Sequence, residues 1–170
     1  MISSRMSQKD YFSLFNQPQI FAVDLSSLEA VKTALLSRLH PDRFVTASAL
    51  EKRIAQQMSV QVNEAYRTLS DDLLRAQYLC KLKGFDVNEH RPMPADFLMR
   101  QMQWHEALEK CAQDKDENLR ARLLEDVKAQ QSALIAAIGE AFDVTHDDQA
   151  AFEATRELMF VNKLLAQIQQ

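Results

Sequence analysis

A chain of 170 residues with 46% hydrophobic and 26% charged side chains has the composition of a folded globular protein, long enough for one ordinary domain or two small ones. It holds only two glycines, Gly84 and Gly139, and four prolines, which argues against glycine-rich phosphate loops, dinucleotide fingerprints and tight β-hairpins and leaves an all-α fold as the expectation. The net charge of −4 disfavours a nucleic-acid partner, since phosphate binding draws on clustered Lys and Arg.

That charge is uneven. Residues 1–75 carry nine basic and eight acidic side chains and residues 76–170 eleven and sixteen, which predicts two halves with different partners. Two cysteines, Cys80 and Cys111, make no disulfide framework, so a reducing cytoplasmic setting is expected. No apolar run reaches 18 residues and MISSRMSQKD lacks an apolar core, so neither a membrane span nor a signal peptide is expected.

In chain order, a short helix is predicted around Asp10–Asn16, with Tyr11, Leu14 and Phe15 on one face and Pro18 beyond its end. A second helix is expected to start at a capping box formed by Ser26 and Glu29. Its residues Leu28, Val31, Leu35 and Leu39 recur at helical spacing, and Pro41 stops it. A third runs from Ala49 to Leu69 with Ile54, Met58, Val62, Ala65 and Leu69 as the matching stripe. The short loop between the two predicts an antiparallel hairpin.

That loop contains His40-Pro41-Asp42. Asp42 offers a carboxylate suited to a bidentate arginine of a partner, Pro41 lowers the ordering cost of docking, and His40 is positioned to bond the last carbonyls of the preceding helix. Lys32, Arg38 and Arg43 are read as exposed steering charges for an acidic surface. An acid–base pair of His40 and Asp42 lacks a nucleophile, an oxyanion donor set and a glycine loop, so the chain is not expected to be an enzyme. The tripeptide, between a basic amphipathic helix and a longer one and preceded by an aromatic helix, resembles a J-domain. The resemblance implies that this loop docks on a DnaK-type chaperone and activates its ATP hydrolysis.

A fourth helix over Asp71–Lys83, ended by Gly84, is read as a connecting helix, and the Gly- and Pro-bearing stretch to Pro94 as the linker. Three helices follow, at Ala95–Gln113, Asp116–Phe142 and Asp148–Gln169, and short connections make them a bundle. The domain expectation is therefore a J-domain at 8–75, a connecting helix and linker at 76–91, and a three-helix bundle at 92–170, with residues 1–7 left outside. At 100° per residue, Phe97, Trp104, Leu108 and Cys111 fall within an arc of about 60°. Leu98, Met99 and Met102 lie well off that stripe among Glu106 and Glu109, as Phe160 lies off the stripe of Leu158, Val161, Leu165 and Ile168. Leu and Met beside charge suggest a partner surface, while burial on both sides of a middle helix is the competing explanation.

The segments DYFSLF (10–15), LHPDRF (39–44), NEAYRTL (63–69), LRAQYL (74–79), KGFD (83–86), FLMRQM (97–102) and LMFVNKL (158–164) together resemble the HscB family, J-domain co-chaperones of iron–sulfur cluster assembly. The resemblance spans nearly the whole chain. It implies that the J-domain engages the chaperone HscA and that the bundle holds the scaffold protein IscU through Leu98, Met99, Met102, Gln103, Glu106 and Phe160. Gln103 and Lys110 stand where the family pattern has glutamate, which weakens or rearranges the acidic part of that contact. The same motif leaves a second client class open, a J-domain co-chaperone delivering a different protein through the bundle. Cys80, Cys111, His90, His105 and His146 are too scattered for a cluster or zinc site, the two cysteines are expected to be packed, and no cofactor is expected.

Overall fold

The computed structural model of the protein describes residues 10–170, so the leader 1–7 and the expected domain start at residue 8 lie outside the described residues. Among the described residues every regular element is helical: α1 (Tyr11–Leu14), α2 (Leu25–Arg38), a 3-10 turn (Pro41–Phe44), α3 (Ala49–Ser70), α4 (Asp72–Leu82), α5 (Ala95–Asp114), α6 (Glu117–Gly139), a π-helical turn (Glu140–Thr145) and α7 (Asp148–Ile168). The all-α expectation holds. The chain divides into two compact units, one ending at Tyr78 and the other Leu79–Gln170, so the boundary falls inside α4 and the stretch read as linker belongs to the second unit.

In the first unit α2 and α3 pack as the expected hairpin, and α1 lies against α3. The start of α2 differs from the expected capping box. Asp24, not Ser26, is the N-cap, and its carboxylate accepts from the amides of Ser26 at 3.0 Å and Ser27 at 3.4 Å. An ionised carboxylate two residues upstream satisfies those orphan donors first, so the helix begins two residues earlier and Ser26 donates its hydroxyl to Asp24. The Ser26 hydroxyl and the Ser27 and Ser26 amides hold the Asp24 carboxyl below its usual range. The capping box appears on α3 instead: the Glu51 amide donates to Ser48 Oγ at 3.2 Å, and the Ser48 amide to Glu51 Oε2 at 2.8 Å.

The core of this unit is aromatic. Phe12 and Phe15 are fully buried, whereas Tyr11 is half-covered and stacks on Tyr78 with centroids 4.6 Å apart. The inward face of α1 is thus Phe12 and Phe15 rather than the expected set with Tyr11 and Leu14. Buried Arg75 ties three segments together. Its guanidinium donates to the carbonyls of Phe21 and Leu69, each at 2.7 Å, pairs with Asp72 and lies over the Phe21 ring. A buried charge is tolerable only when its donors are spent in this way.

In the second unit α6 and α7 make the most extensive contact and α5 lies against α6. Most of the expected stripes is core: Phe97, Trp104 and Cys111 on α5, where Leu108 is only half-buried, and Leu158, Val161, Leu165 and Ile168 on α7. Asp116 and Asp147 are N-caps, accepting from the amides of Leu119 and Ala150 at 3.0 Å. Gly84 closes α4. At φ 88° its amide reaches the carbonyl of Lys81, and the Phe85 amide that of Cys80, a left-handed termination that a side chain disfavours by backbone angle although nothing crowds the site. No helix among the described residues is long and apolar enough to cross a membrane.

Candidate functional site

Two surfaces stand out, one on each unit. On the first, α2 ends at Arg38 because His40 takes the extended geometry that a following proline imposes, φ −61° and ψ 136°. Pro41 then opens the 3-10 turn at its first position, where its missing N–H costs nothing. His40 holds the turn, but in the direction opposite to that expected. Its Nδ1 accepts the Asp42 amide at 3.3 Å, so it caps the turn that follows instead of the helix that precedes. The physical reason is that the C-cap residue Leu39 already bonds the carbonyls of Leu35 and Leu36 through its own amide. The Asp42 carboxylate also lies 3.5 Å from the same Nδ1. Asp42 therefore presents a carboxylate 88% open to solvent on a turn whose backbone is already set.

The basic residues around it divide. Arg38 and Arg43 are exposed and make no ion pair among the described residues. Lys32, expected as an exposed steering charge, is half-buried. Its ammonium lies 4.1 Å from the centroid of Tyr66 on α3 and 3.7 Å from Glu29, so its charge locks α2 onto α3. The Tyr66 hydroxyl is bonded to the same Glu29, which raises its pKa.

A groove of about 710 Å³ opens between the turn and α3, lined by Leu39, Pro41, Asp42, Phe44, Val45 and Lys52 among others. Beside it the N-terminal part of α3 departs from the expected stripe: Ile54 and Met58 are exposed, and Ala55 is the residue turned inward. With 22 residues against 14, α3 outruns α2, and the 3-10 turn meets α3 across the groove while Ile54 and Met58 stay exposed. Phe44, Val45, Lys52, Gln56 and Ser59 are lining residues that the sequence reading did not single out. The signal for Lys52 was its place on the first turn of a helix starting just after the loop.

On the second unit, α5 is held in rotation by its polar anchors. Trp104 Nε1 donates to Asp126 on α6 at 2.6 Å, and Arg100 bonds Gln130. With Phe97, Trp104 and Cys111 turned in, Leu98, Met99 and Met102 must face out, and they are 44%, 63% and 72% exposed. Phe160 on α7 is 45% exposed, with its ring 6.3 Å from that of buried Phe97, the chain neighbour of Leu98. Leu98, Met99 and Met102 on α5 and Phe160 on α7 are thus exposed apolar residues, with Phe160 beside α5 through Phe97, and burial on both sides of α5 does not describe that helix. Gln103, Glu106 and Lys110 are exposed along the same helix. One residue beside this face was not singled out: Glu157, one turn from Phe160, whose carboxyl is raised by burial and by nearby Asp96 and Glu153, against the pull of Arg100. Its i−3 spacing from Phe160 was the available signal.

Cys80 and Cys111 are both buried, as their pattern suggested. Burial pushes the Cys80 thiol up to about 11 despite its 3.7 Å contact with Thr155, which removes thiolate chemistry at neutral pH. Among the described residues no three His, Cys, Asp or Glu side chains are grouped to hold a metal ion.

Comparisons with known proteins converge. Residues 93–169 match a family described as the HSCB C-terminal oligomerisation domain. The Co-chaperone protein HscB homolog of Bordetella avium is 42% identical over 165 residues, covering 96% of this chain and 97% of that protein. Two solved structures share the architecture. Chaperone HscB from Vibrio cholerae is 35% identical, with a TM-score of 0.82 over 95% of this chain and 96% of its own. Human co-chaperone protein HscB is 30% identical, with a TM-score of 0.88 over 96% of this chain and 82% of its own. Similarity at that identity over almost the full length of both chains, on top of the J-type turn and the helical bundle, means that this chain belongs to the HscB family of J-domain co-chaperones of iron–sulfur cluster assembly.

Proposed function

We propose that the protein is a two-site adaptor. The His40-Pro41-Asp42 turn engages the DnaK-type chaperone HscA and stimulates its ATPase, while the face formed by Leu98, Met99, Met102 and Phe160, with Gln103 and Glu106, binds the scaffold protein IscU. The observation that carries the reading is the pairing, on separate compact units of one chain, of a pre-set exposed turn with an uncovered apolar face.

Each site has a physical logic. Asp42 supplies a fixed carboxylate for a guanidinium of the chaperone, and Arg38 and Arg43 steer its approach. Lys32 acts one step back, by fixing α2 on α3. The bundle face offers two methionines that repack against varied shapes and an aromatic ring resting on the core, a combination suited to anchoring a client. Tethering both partners to one chain raises their local concentration without any new contact between them. ATP hydrolysis stays with the chaperone, the co-chaperone has no chemistry of its own to perform, and the setting is the cytoplasm.

Asp42→Asn tests the chaperone half. The turn is held by the Asp42 backbone amide, so the amide variant keeps its shape and removes only the charge. Stimulation of HscA is expected to be lost while IscU affinity stays unchanged. Undiminished stimulation contradicts the assignment.

A further inference from the structure

Met99 and Met102 are the two most exposed methionines among the described residues, and at i and i+3 they sit on one face of α5. The other methionines of this unit, Met93 and Met159, are half-buried. The remaining apolar members of the face, Leu98 and Phe160, carry no oxidisable sulfur. We propose that Met99 and Met102 form a reversible oxidation site through which peroxide switches off docking at this face. The inference rests on the client-docking reading of the same face.

The chemistry is an oxygen transfer. The thioether sulfur attacks one oxygen of hydrogen peroxide, the O–O bond breaks and an S–O bond forms. The sulfur loses two electrons, and the peroxide leaves as water after proton transfer, giving methionine sulfoxide. Oxidation follows access, so the exposed pair reacts before the half-buried pair. The consequences for fold and docking separate. In the free protein the sulfoxide oxygens point into water, and α5 stays anchored by Trp104 to Asp126 and by Arg100 to Gln130. On docking, the same oxygens have to leave water for an apolar contact without a dedicated donor, which opposes binding. Methionine sulfoxide reductases of both epimer specificities restore the thioether.

The test exposes the full-length protein to hydrogen peroxide, removes the oxidant with catalase, locates the sulfoxides by peptide mass spectrometry and then titrates in untreated IscU. Sulfoxide at Met99 and Met102 is expected before Met93 and Met159, with affinity for IscU reduced at least about tenfold, thermal unfolding unchanged, and affinity restored by the reductases. Whatever affinity the double variant Met99→Leu, Met102→Leu has before treatment, peroxide is expected to leave it unchanged. Full sulfoxide at both positions with unchanged affinity overturns the proposal, as does equal peroxide sensitivity of the double variant, or oxidation that spares this pair. Failure of the untreated protein to bind IscU defeats the docking reading itself and this inference with it. Binding that survives oxidation defeats the inference alone.

Discussion

The Asp42 carboxylate is open to solvent and the Cys80 thiol is sealed, and each environment sets what the side chain can do. For Cys80 the raised pKa has a defined sign. The neutral thiol is favoured in the fold, so its contribution to stability is complete below the ordinary thiol pKa of about 8.5 and is lost as pH rises through about 11. Alkylation of Cys80 by iodoacetamide at pH 8 is therefore expected to be negligible in the native protein and prompt in urea, as read by peptide mass spectrometry. Prompt native labelling contradicts the sealed environment. At this scale the motif residues were legible and their partners were not. The string His40-Pro41-Asp42 announces a turn, but nothing in it says that His40 bonds forward to Asp42, because that depends on Leu39 having already satisfied the carbonyls behind it. Lys32 reads as a surface charge until Tyr66, 34 residues away, is found beneath it.

Elements were most legible where side chain and backbone answer locally. Asp116 starting α6, and Gly84 terminating α4, could be read because a cap is a contact within four residues. The misread start of α2 shows the limit, since Asp24 and Ser26 both satisfy the same rule and an ionised acceptor wins. The π-helical turn at Glu140–Thr145 has no sequence signature of that kind, and it extends what reads as one helix to Phe142. On α3 the Ser48–Glu51 box is exposed and reciprocal. Ser48→Ala is expected to lower stability by about 1 kcal/mol in urea unfolding. Loss well below that range means that the first turn of α3 is held by something other than its cap. Glu51 is held below the usual carboxylate range by the Ser48 amide and hydroxyl, so its contribution is present above about pH 4.5 and lost as pH falls through its folded-state value. The Ser48→Ala difference should accordingly shrink in acid. The apolar stripe of α3 was legible as a period but not as burial: Ile54 and Met58 fit the pattern and remain exposed, while Ala55 between them is the residue turned inward.

Over the whole molecule, the uneven charge between the halves pointed to two partners, and the out-of-register apolar residues of α5 and α7 to one apolar surface, because both patterns are encoded directly along the chain. That Phe160 lies beside the helix of Leu98, Met99 and Met102 could not be read from period alone. It follows from the packing of α7 against the start of α5 through Phe97. Met99→Ala with Phe160→Ala is expected to weaken IscU binding by roughly tenfold to a hundredfold in calorimetric titration and leave unassisted stimulation of HscA intact. An unchanged titration contradicts the assignment of this face. The central claim is that both sites must act from one chain. The most direct measurement is the ATPase rate of HscA with IscU and an equimolar mixture of two variants, one Asp42→Asn and the other carrying Met99→Ala and Phe160→Ala. The adaptor account predicts that the mixture stays far below the rate given by wild-type protein, because no molecule holds client and chaperone together; recovery of the full wild-type rate by the mixture contradicts it.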